Sequence, residues 1–292
     1  MSASTSAAAP VLSIRDLVTE FSTPTGPVRA VDGLTLDVRP GEILGVVGES
    51  GSGKSISMLS VLGLVPKPGR VVAGEVLLDG RDLLAESPER LREVRGSDIA
   101  MIFQDPMTSM NPVFTIGDQI AEAVLAHHPD RGREGAWARA VELLGLVGVP
   151  SPDERADQYP HEFSGGMRQR AMIAMAMANR PRVLIADEPT TALDVTIQAQ
   201  VLDVLTTAQS ETDAAMVLIT HDLGLIAEVA DRVVVMYAGR IIESADVVDI
   251  FHAPRHPYTI GLMGSLPKLE GDREPLQAIP CLLYTSPSPR DS

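Results

Sequence analysis

The 292-residue sequence predicts an α/β fold: a mainly parallel sheet, a small antiparallel β layer towards the N-terminus and an inserted α-helical subdomain. Three observations carry that prediction. Apolar, β-branched runs at Ile43–Val47, Val183–Ala186, Met216–Thr220 and Val233–Tyr237 read as strands buried on both faces. Val11–Thr19, Ala30–Val38 and Gly74–Leu78 alternate more and are punctuated by Gly and Pro, as strands of an antiparallel layer are. From residue 105 to residue 160 the strand signal fades, and Ile116–His128 and Gly135–Val147 read as helices joined by polar links.

Bulk properties narrow the function classes. The formal charge is 24 − 39 = −15, and no run of Lys or Arg supplies the basic face that DNA or RNA needs. The single cysteine, Cys281, excludes a disulfide framework within the chain and suits a reducing compartment. Residues 1–10, MSASTSAAAP, lack the basic start and apolar stretch of a signal peptide and are expected to form a disordered tail. No apolar run approaches the ~20 residues of a membrane span. The expectation is a cytosolic chain whose membrane contact runs through a partner.

The strand Ile43–Val47 runs into Gly48-Glu49-Ser50-Gly51-Ser52-Gly53-Lys54-Ser55, a full match to G-x-x-x-x-G-K-[ST], and an apolar helix, Ser55–Leu64, follows. Glycines let the backbone curl so that successive N–H groups face an anion, aided by the helix N-terminus. Lys54 is placed to reach the β- and γ-phosphates of a nucleoside triphosphate, and the Ser55 hydroxyl to hold Mg²⁺. Asp98–Phe103 reads as a further strand that ends at Gln104, by itself an ordinary polar strand end. In HEFSGGMRQR, Ser164-Gly165-Gly166 opens a helix-like stretch and also offers backbone donors to an anion.

The strand Val183–Ala186 is closed by Asp187 and Glu188. An aspartate there supplies the second Mg²⁺ contact of a phosphate-loop protein, while the adjacent Glu188, facing the other way, can polarise an attacking water. His221 follows the strand Met216–Thr220. A lone histidine is more often structural, but ligands of parallel sheets gather at such strand ends, which favours a γ-phosphate contact.

In this order, GESGSGKS, Gln104, FSGGMRQR, LIADEPTTALD and ITHD resemble the ATP-binding subunit of an ABC transporter, over about residues 11 to 269. The resemblance implies a P-loop NTPase (RecA-like) core with a helical subdomain at about 105–180. It makes Gly48–Ser55 the Walker A loop and Gln104 the residue of the Q-loop, near Mg²⁺ and the transmembrane partner. Ser164–Gly166 becomes the core of the signature motif, Asp187 the Walker B aspartate and Glu188 the catalytic base. Asp194 falls at the D-loop, His221 at the switch histidine, and Phe21 where an aromatic stacks on adenine. The cofactors implied are ATP and Mg²⁺. The partners implied are two transmembrane permease subunits, a second ATP-binding subunit of the same or a different kind, and an extracytoplasmic substrate-binding protein. The place implied is the cytoplasmic face of the cell membrane.

The signature departs from the commonest form, LSGGQ, through Phe163 and Met167, yet it keeps the Ser164 hydroxyl and the Gly165 and Gly166 donors. FQDPMTSMNPVFTIGDQI, YPHEFSGGMRQR, VVVMYAGRIIE and IFHAPRHPYTIGL further resemble the dipeptide, oligopeptide and nickel importer branch, with peptide uptake the first reading and nickel the second. Arg255–Thr259 (RHPYT) carries no chemistry of its own and reads as a turn before a short helix. Two other classes are a nucleic-acid-associated ABC ATPase and a degenerate, non-enzymatic cassette. The acidic balance and the lack of coiled coils oppose the first; Lys54, Asp187, Glu188 and His221 oppose the second. Residues 270–292 read as a tail, of which 281–292, CLLYTSPSPRDS, resembles translated sequencing-adapter or vector sequence; the other reading is a natural Ser/Pro-rich disordered terminus, and resequencing the locus decides between them.

Overall fold

In the computed structural model, which describes residues 9–104, 109–191 and 194–264, the chain forms two sheets that share an apolar interior. The first is antiparallel. Leu12–Thr23 (β1) pairs with Gly26–Val38 (β2) on one side and Gly69–Leu78 (β4) on the other, and Arg81–Asp82 (β5) closes the edge. The second sheet has the order β10-β9-β3-β8-β7-β6. Its strands are Ile43–Val47 (β3), Ile99–Ile102 (β6), Val183–Asp187 (β7), Ala215–Ile219 (β8), Arg232–Tyr237 (β9) and Arg240–Asp246 (β10). All pairings within it are parallel except the hairpin of β9 with β10.

Successive side chains of a strand face opposite ways, so the parallel sheet serves two cores. Leu44, Val46, Val183, Ile185, Val217 and Ile219 pack with Leu12, Ile14, Leu34 and Leu36 of the antiparallel sheet. Val47, Leu184, Ala186, Met216 and Leu218 turn instead towards the helical layer. At the foot of the sheet Arg232 grips the buried Glu42 through Nε at 2.7 Å and Nη2 at 3.3 Å, and Asp231 Oδ2 accepts the Ile43 N–H at 2.8 Å. These contacts lock β9 beside β3.

Ten helices are described: Lys54–Val61 (α1), Pro88–Val94 (α2), Ile116–Leu125 (α3), Gly132–Leu146 (α4), Pro152–Ala156 (α5), Gly165–Ala176 (α6), Val195–Thr212 (α7), Leu223–Val229 (α8), Val247–His252 (α9) and Pro257–Gly264 (α10). α3 to α6 form the inserted layer. Thr115 caps α3 by accepting the Asp118 N–H at 3.2 Å. Arg170 of α6 donates to the carbonyls of Val147 and Gly148, satisfying the end of α4. Asn179 bridges α3 to the link before β6, its Nδ2 donating to Gly96 O and Ala123 O, both at 3.0 Å.

The structure bears out the fold class and shifts several element boundaries. β1 and β2 run on as a long hairpin to Thr23 and Gly26, beyond the expected ends at Thr19 and Ala30, because cross-strand pairing holds polar residues that periodicity rejects. β4 starts at Gly69, not Gly74, through pairing with β1. β10 is an added strand. Its turn residues Ala238 (φ 48°) and Gly239 (φ 80°) both take positive φ, the geometry of a tight hairpin turn. α3 stops at Leu125 rather than His128, and α4 starts at Gly132, ahead of Gly135. Part of DPMTSMNP, residues 192–193 and everything from 265 on, Cys281 and the suspected vector sequence included, lie outside the described residues. Among the described residues no helix is long and apolar enough to cross a membrane.

Phe163 is among the largest fully enclosed side chains, 2% exposed within the helical layer. Phe163→Ala is therefore expected to cost about 3–5 kcal/mol, whereas Phe163→Leu should stay below about 1.5 kcal/mol. Denaturant unfolding of the two variants checks both.

Candidate active site

The loop after β3 is shaped by what it touches. Gly48 has φ 150°, and a Cβ there would lie 2.3 Å from the Met236 carbonyl oxygen at the end of β9. Gly53, at φ 100°, is the N-cap of α1, and a Cβ there would lie 2.3 Å from Ala30 O of β2. Only glycine allows both the left-handed backbone and these approaches. The β9–β10 turn closes the clamp, with Gly239 N–H donating to Ser52 O at 2.9 Å and Asp32 N–H donating to Gly239 O at 2.9 Å.

Within the clamp Lys54 is buried, its Nζ donating to Gly48 O at 2.7 Å and Glu49 O at 2.9 Å. Burial lowers the pKa of its ammonium, and the carboxylates of Glu188, Asp187 and Glu49 oppose that shift. Glu49, Ser50 and Gly51 form the exposed crest. Ser52 Oγ is buried without a hydrogen-bond partner, a donor facing into a loop whose backbone N–H groups open α1. A buried, unpaired hydroxyl beside a helix N-terminus and a buried ammonium fits a phosphate.

Two carboxylates arise side by side at the end of β7 and part company. Asp187 is buried and its Oδ1 accepts the Ser55 hydroxyl at 2.9 Å, across 132 positions of sequence. Burial raises the pKa of the Asp187 carboxyl, outweighing the lowering by the Ser55 hydrogen bond. Glu188 takes the left-handed conformation, φ 47°, with its N–H bonded to Ile219 O at 2.8 Å. That turn sends its carboxylate elsewhere. Glu188 Oε2 accepts from Gln104 Nε2 at 2.9 Å and from Thr191 Oγ1 at 2.8 Å, and Oε1 lies 3.6 Å from His221 Nδ1. Gln104, Glu188 and His221 thus meet at one point beside the Ser55–Asp187 pair. A hydroxyl and a carboxylate oxygen at the mouth of the loop suit a hard cation, and a carboxylate between an amide and an imidazole suits the holding of a water.

The profile of the family described as ABC transporter matches residues 31–191, and that of the oligopeptide/dipeptide transporter C-terminal region matches residues 242–285. The chain belongs to the ABC transporter family. It is similar to the oligopeptide transport ATP-binding protein OppD of Bacillus subtilis, with 53% identity over 272 residues, covering 92% of this chain and 76% of that protein. It is also similar to the dipeptide transport ATP-binding protein DppD of Escherichia coli, with 51% identity over 270 residues, covering 92% of this chain and 82% of that protein. Among solved structures, a dimeric bacterial ABC transporter cassette superposes with TM-score 0.71 and 26% identity, over 81% of this chain and 98% of that one. As a member of this family the chain is an ATP hydrolase.

The remaining candidate residues of this ABC ATPase lie apart from the loop. Ser164 is the N-cap of α6, its Oγ accepting the Met167 N–H at 3.3 Å. Ser164 and Gly165 are exposed, Gly166 packs near Ile197, and among the described residues no hydrogen bond joins them to the loop of their own chain. Met167 leans on the core, and Phe163, just before Ser164, is buried in it. Asp194, also exposed, caps α7 by accepting the Ile197 N–H at 3.0 Å. The Phe21 ring covers Gly69 on the antiparallel sheet, where an added Cβ would come within 2.6 Å of its Cε1. Two contacts escape sequence reasoning: the Thr191 hydroxyl on Glu188, and Tyr258, whose hydroxyl oxygen accepts the Glu49 N–H at 3.2 Å. For Thr191 a signal exists in its position three residues after Glu188.

The raised pKa of Asp187 sets a sign for stability. Between the ordinary and the raised value the folded chain holds more protons than the unfolded one, so this group's contribution falls as pH rises through that window. Asp187→Asn keeps an oxygen acceptor for Ser55 and removes the buried charge. The variant is expected to gain melting temperature over the wild type at pH ~7 and to gain less at pH ~4. Calorimetry at the two pH values checks this.

Proposed function

We propose that the chain is the ATP-hydrolysing subunit that energises a peptide importer, working on a membrane as one of a pair of such subunits bound to permease subunits. The observation that carries this reading is the meeting of Gln104, Glu188 and His221 beside the Ser55–Asp187 pair, at the mouth of the loop 48–55. The cargo reading is supported by the peptide-transport relatives and by the match to the oligopeptide/dipeptide C-terminal region.

On this reading the N–H groups at the start of α1 and the Lys54 ammonium take the phosphates, with Lys54 turning from the carbonyls of Gly48 and Glu49. Ser55, Asp187 and the Gln104 amide are the oxygens to hold magnesium, which when bound neutralises charge on the transferring phosphoryl group. Glu188 orients the attacking water as general base, steadied by Gln104 and Thr191, and His221 faces the γ-phosphate. Phe21 stacks on adenine. Ser164 and Gly165 are exposed and Gly166 is half-buried at the start of α6, so the three cover the nucleotide of a partner subunit, with Asp194 at the junction. Closure then depends on ATP, and hydrolysis releases it.

A groove of about 350 Å³, lined by Leu62, Leu64, Met101, Phe103, Met172 and Met175, lies beside Gln104 and suits an apolar helix of the permease. The wider assembly includes an extracytoplasmic substrate-binding protein, and the chain sits at the cytoplasmic face of the membrane. Residues 11–269 act as the ATP-binding domain, with 105–180 as its helical part.

Glu188→Gln is expected to retain ATP binding while kcat falls by about 10²–10⁴-fold, with a closed dimer accumulating; size-exclusion chromatography with ATP and a phosphate-release assay measure both. Mixing Lys54→Ala with Ser164→Arg chains tests the shared site. Each variant is inactive alone, and the mixture should recover activity because one mixed site combines an intact Lys54 with an intact Ser164. No recovery would place both residues in a site within one chain. Uptake of a labelled dipeptide by vesicles carrying the assembled transporter tests the cargo, and uptake of nickel alone would overturn it.

A further inference from the structure

The segment Arg255–Thr259, silent in sequence, has a defined physical job at the start of α10. His256 is the residue before the helix: its Nδ1 accepts the Tyr258 N–H at 3.1 Å, and its carbonyl receives the Ile260 N–H at 3.0 Å. Pro257 takes the first helical position, where a missing N–H leaves nothing unsatisfied. Glu243 of β10 then grips the segment through both oxygens, accepting the N–H of Arg255 at 2.7 Å and of His256 at 3.0 Å. His, Pro and Tyr together thus start the helix and aim its second residue.

That residue points at the nucleotide loop. Tyr258 is buried, and its ring leans on Tyr237 at the end of β9, with centroids 4.7 Å apart at 49°. Its hydroxyl oxygen accepts the Glu49 N–H at 3.2 Å, across 209 positions of sequence. Burial raises the pKa of the phenol, beyond what the Glu49 N–H lowers, so the hydroxyl stays neutral at physiological pH. The Gly48–Glu49 peptide is therefore held on both sides, its N–H by Tyr258 and its carbonyl by Lys54.

We infer that Tyr258 is a positioning residue for ATP: by holding the Glu49 N–H it fixes the entry of the phosphate loop and makes nucleotide affinity depend on the docking of α10. The inference rests on the reading of residues 48–55 as the nucleotide loop. On that reading Lys54 leaves the Gly48 carbonyl to reach the phosphates, and Tyr258 becomes the remaining side-chain hold on the Gly48–Glu49 peptide. The C-terminal region thereby acts on the ATP site through this one hydrogen bond.

The test uses the full chain and Tyr258→Phe, which keeps the ring against Tyr237 and removes the hydroxyl. Loss of one such hydrogen bond is expected to weaken ATP binding roughly two- to tenfold in a titration with magnesium chloride present. Hydrogen exchange of the Glu49 amide should speed up by a similar factor, with the melting temperature nearly unchanged. Unchanged ATP affinity and unchanged Glu49 exchange in Tyr258→Phe would overturn the inference. A lowered melting temperature with unchanged affinity would also overturn it, since packing alone would then explain the residue. Lys54→Ala in the same titration separates the two readings. If it loses ATP binding while Tyr258→Phe does not, only the positioning role falls; if it binds ATP as the wild type does, the loop assignment falls and the inference with it.

Discussion

The parallel register of the central sheet is the constraint on which the site depends. Val46 lies opposite Ile219, Val47 opposite Val235, Asp187 opposite Ile219 and Ile102 opposite Ala186. Five strands therefore end at one level, and the residues that follow them emerge along one edge, where ligands of such sheets bind. This is how Gly48, Gln104, Glu188 and His221 come together, although 84 positions separate Gln104 from Glu188. A slip of one residue in any pairing would exchange the two faces of that strand, breaking both cores as well as the site.

Several parts of the site work against folding, and the scaffold holds them. Glu188 occupies a left-handed conformation that a side chain with a Cβ adopts at a cost of roughly 1–3 kcal/mol. Its N–H on Ile219 O and its carboxylate on Gln104 and Thr191 keep it there. Lys54 and Asp187 are both buried charges, and burial shifts the pKa of each towards its neutral form. Each is held by specific contacts, Lys54 by two carbonyls and Asp187 by the Ser55 hydroxyl. The two apolar clusters on either face of the sheet supply the burial that offsets these costs.

The hairpin of β9 and β10 is the second organising element. It carries the turn whose Gly239 bonds Ser52, the Met236 carbonyl against Gly48, the Tyr237 ring under Tyr258 and the Glu243 carboxylate that seats α10. Every one of these contacts converges on the loop 48–55 or on the segment that touches it. A strand added at the sheet edge thus becomes the wall on which the loop rests.

Much of this was legible in sequence, for reasons that are local. The apolar runs of β3, β7, β8 and β9 record burial on both faces, and the glycine spacing of residues 48–55 records a backbone that must curl. The ends of β1, β2 and β4 were not legible, because pairing rather than periodicity decides them. The same holds for the partners of individual side chains. That Phe21 lies over Gly69 and that Tyr258 holds Glu49 depends on contacts between stretches far apart in the chain, which no local pattern encodes. Sequence alone determined which residues are the candidates for chemistry, since residue type and spacing are properties of the chain. Which of them meet, and what holds them in place, was decided only by the register of the sheet and the packing of α10 against it.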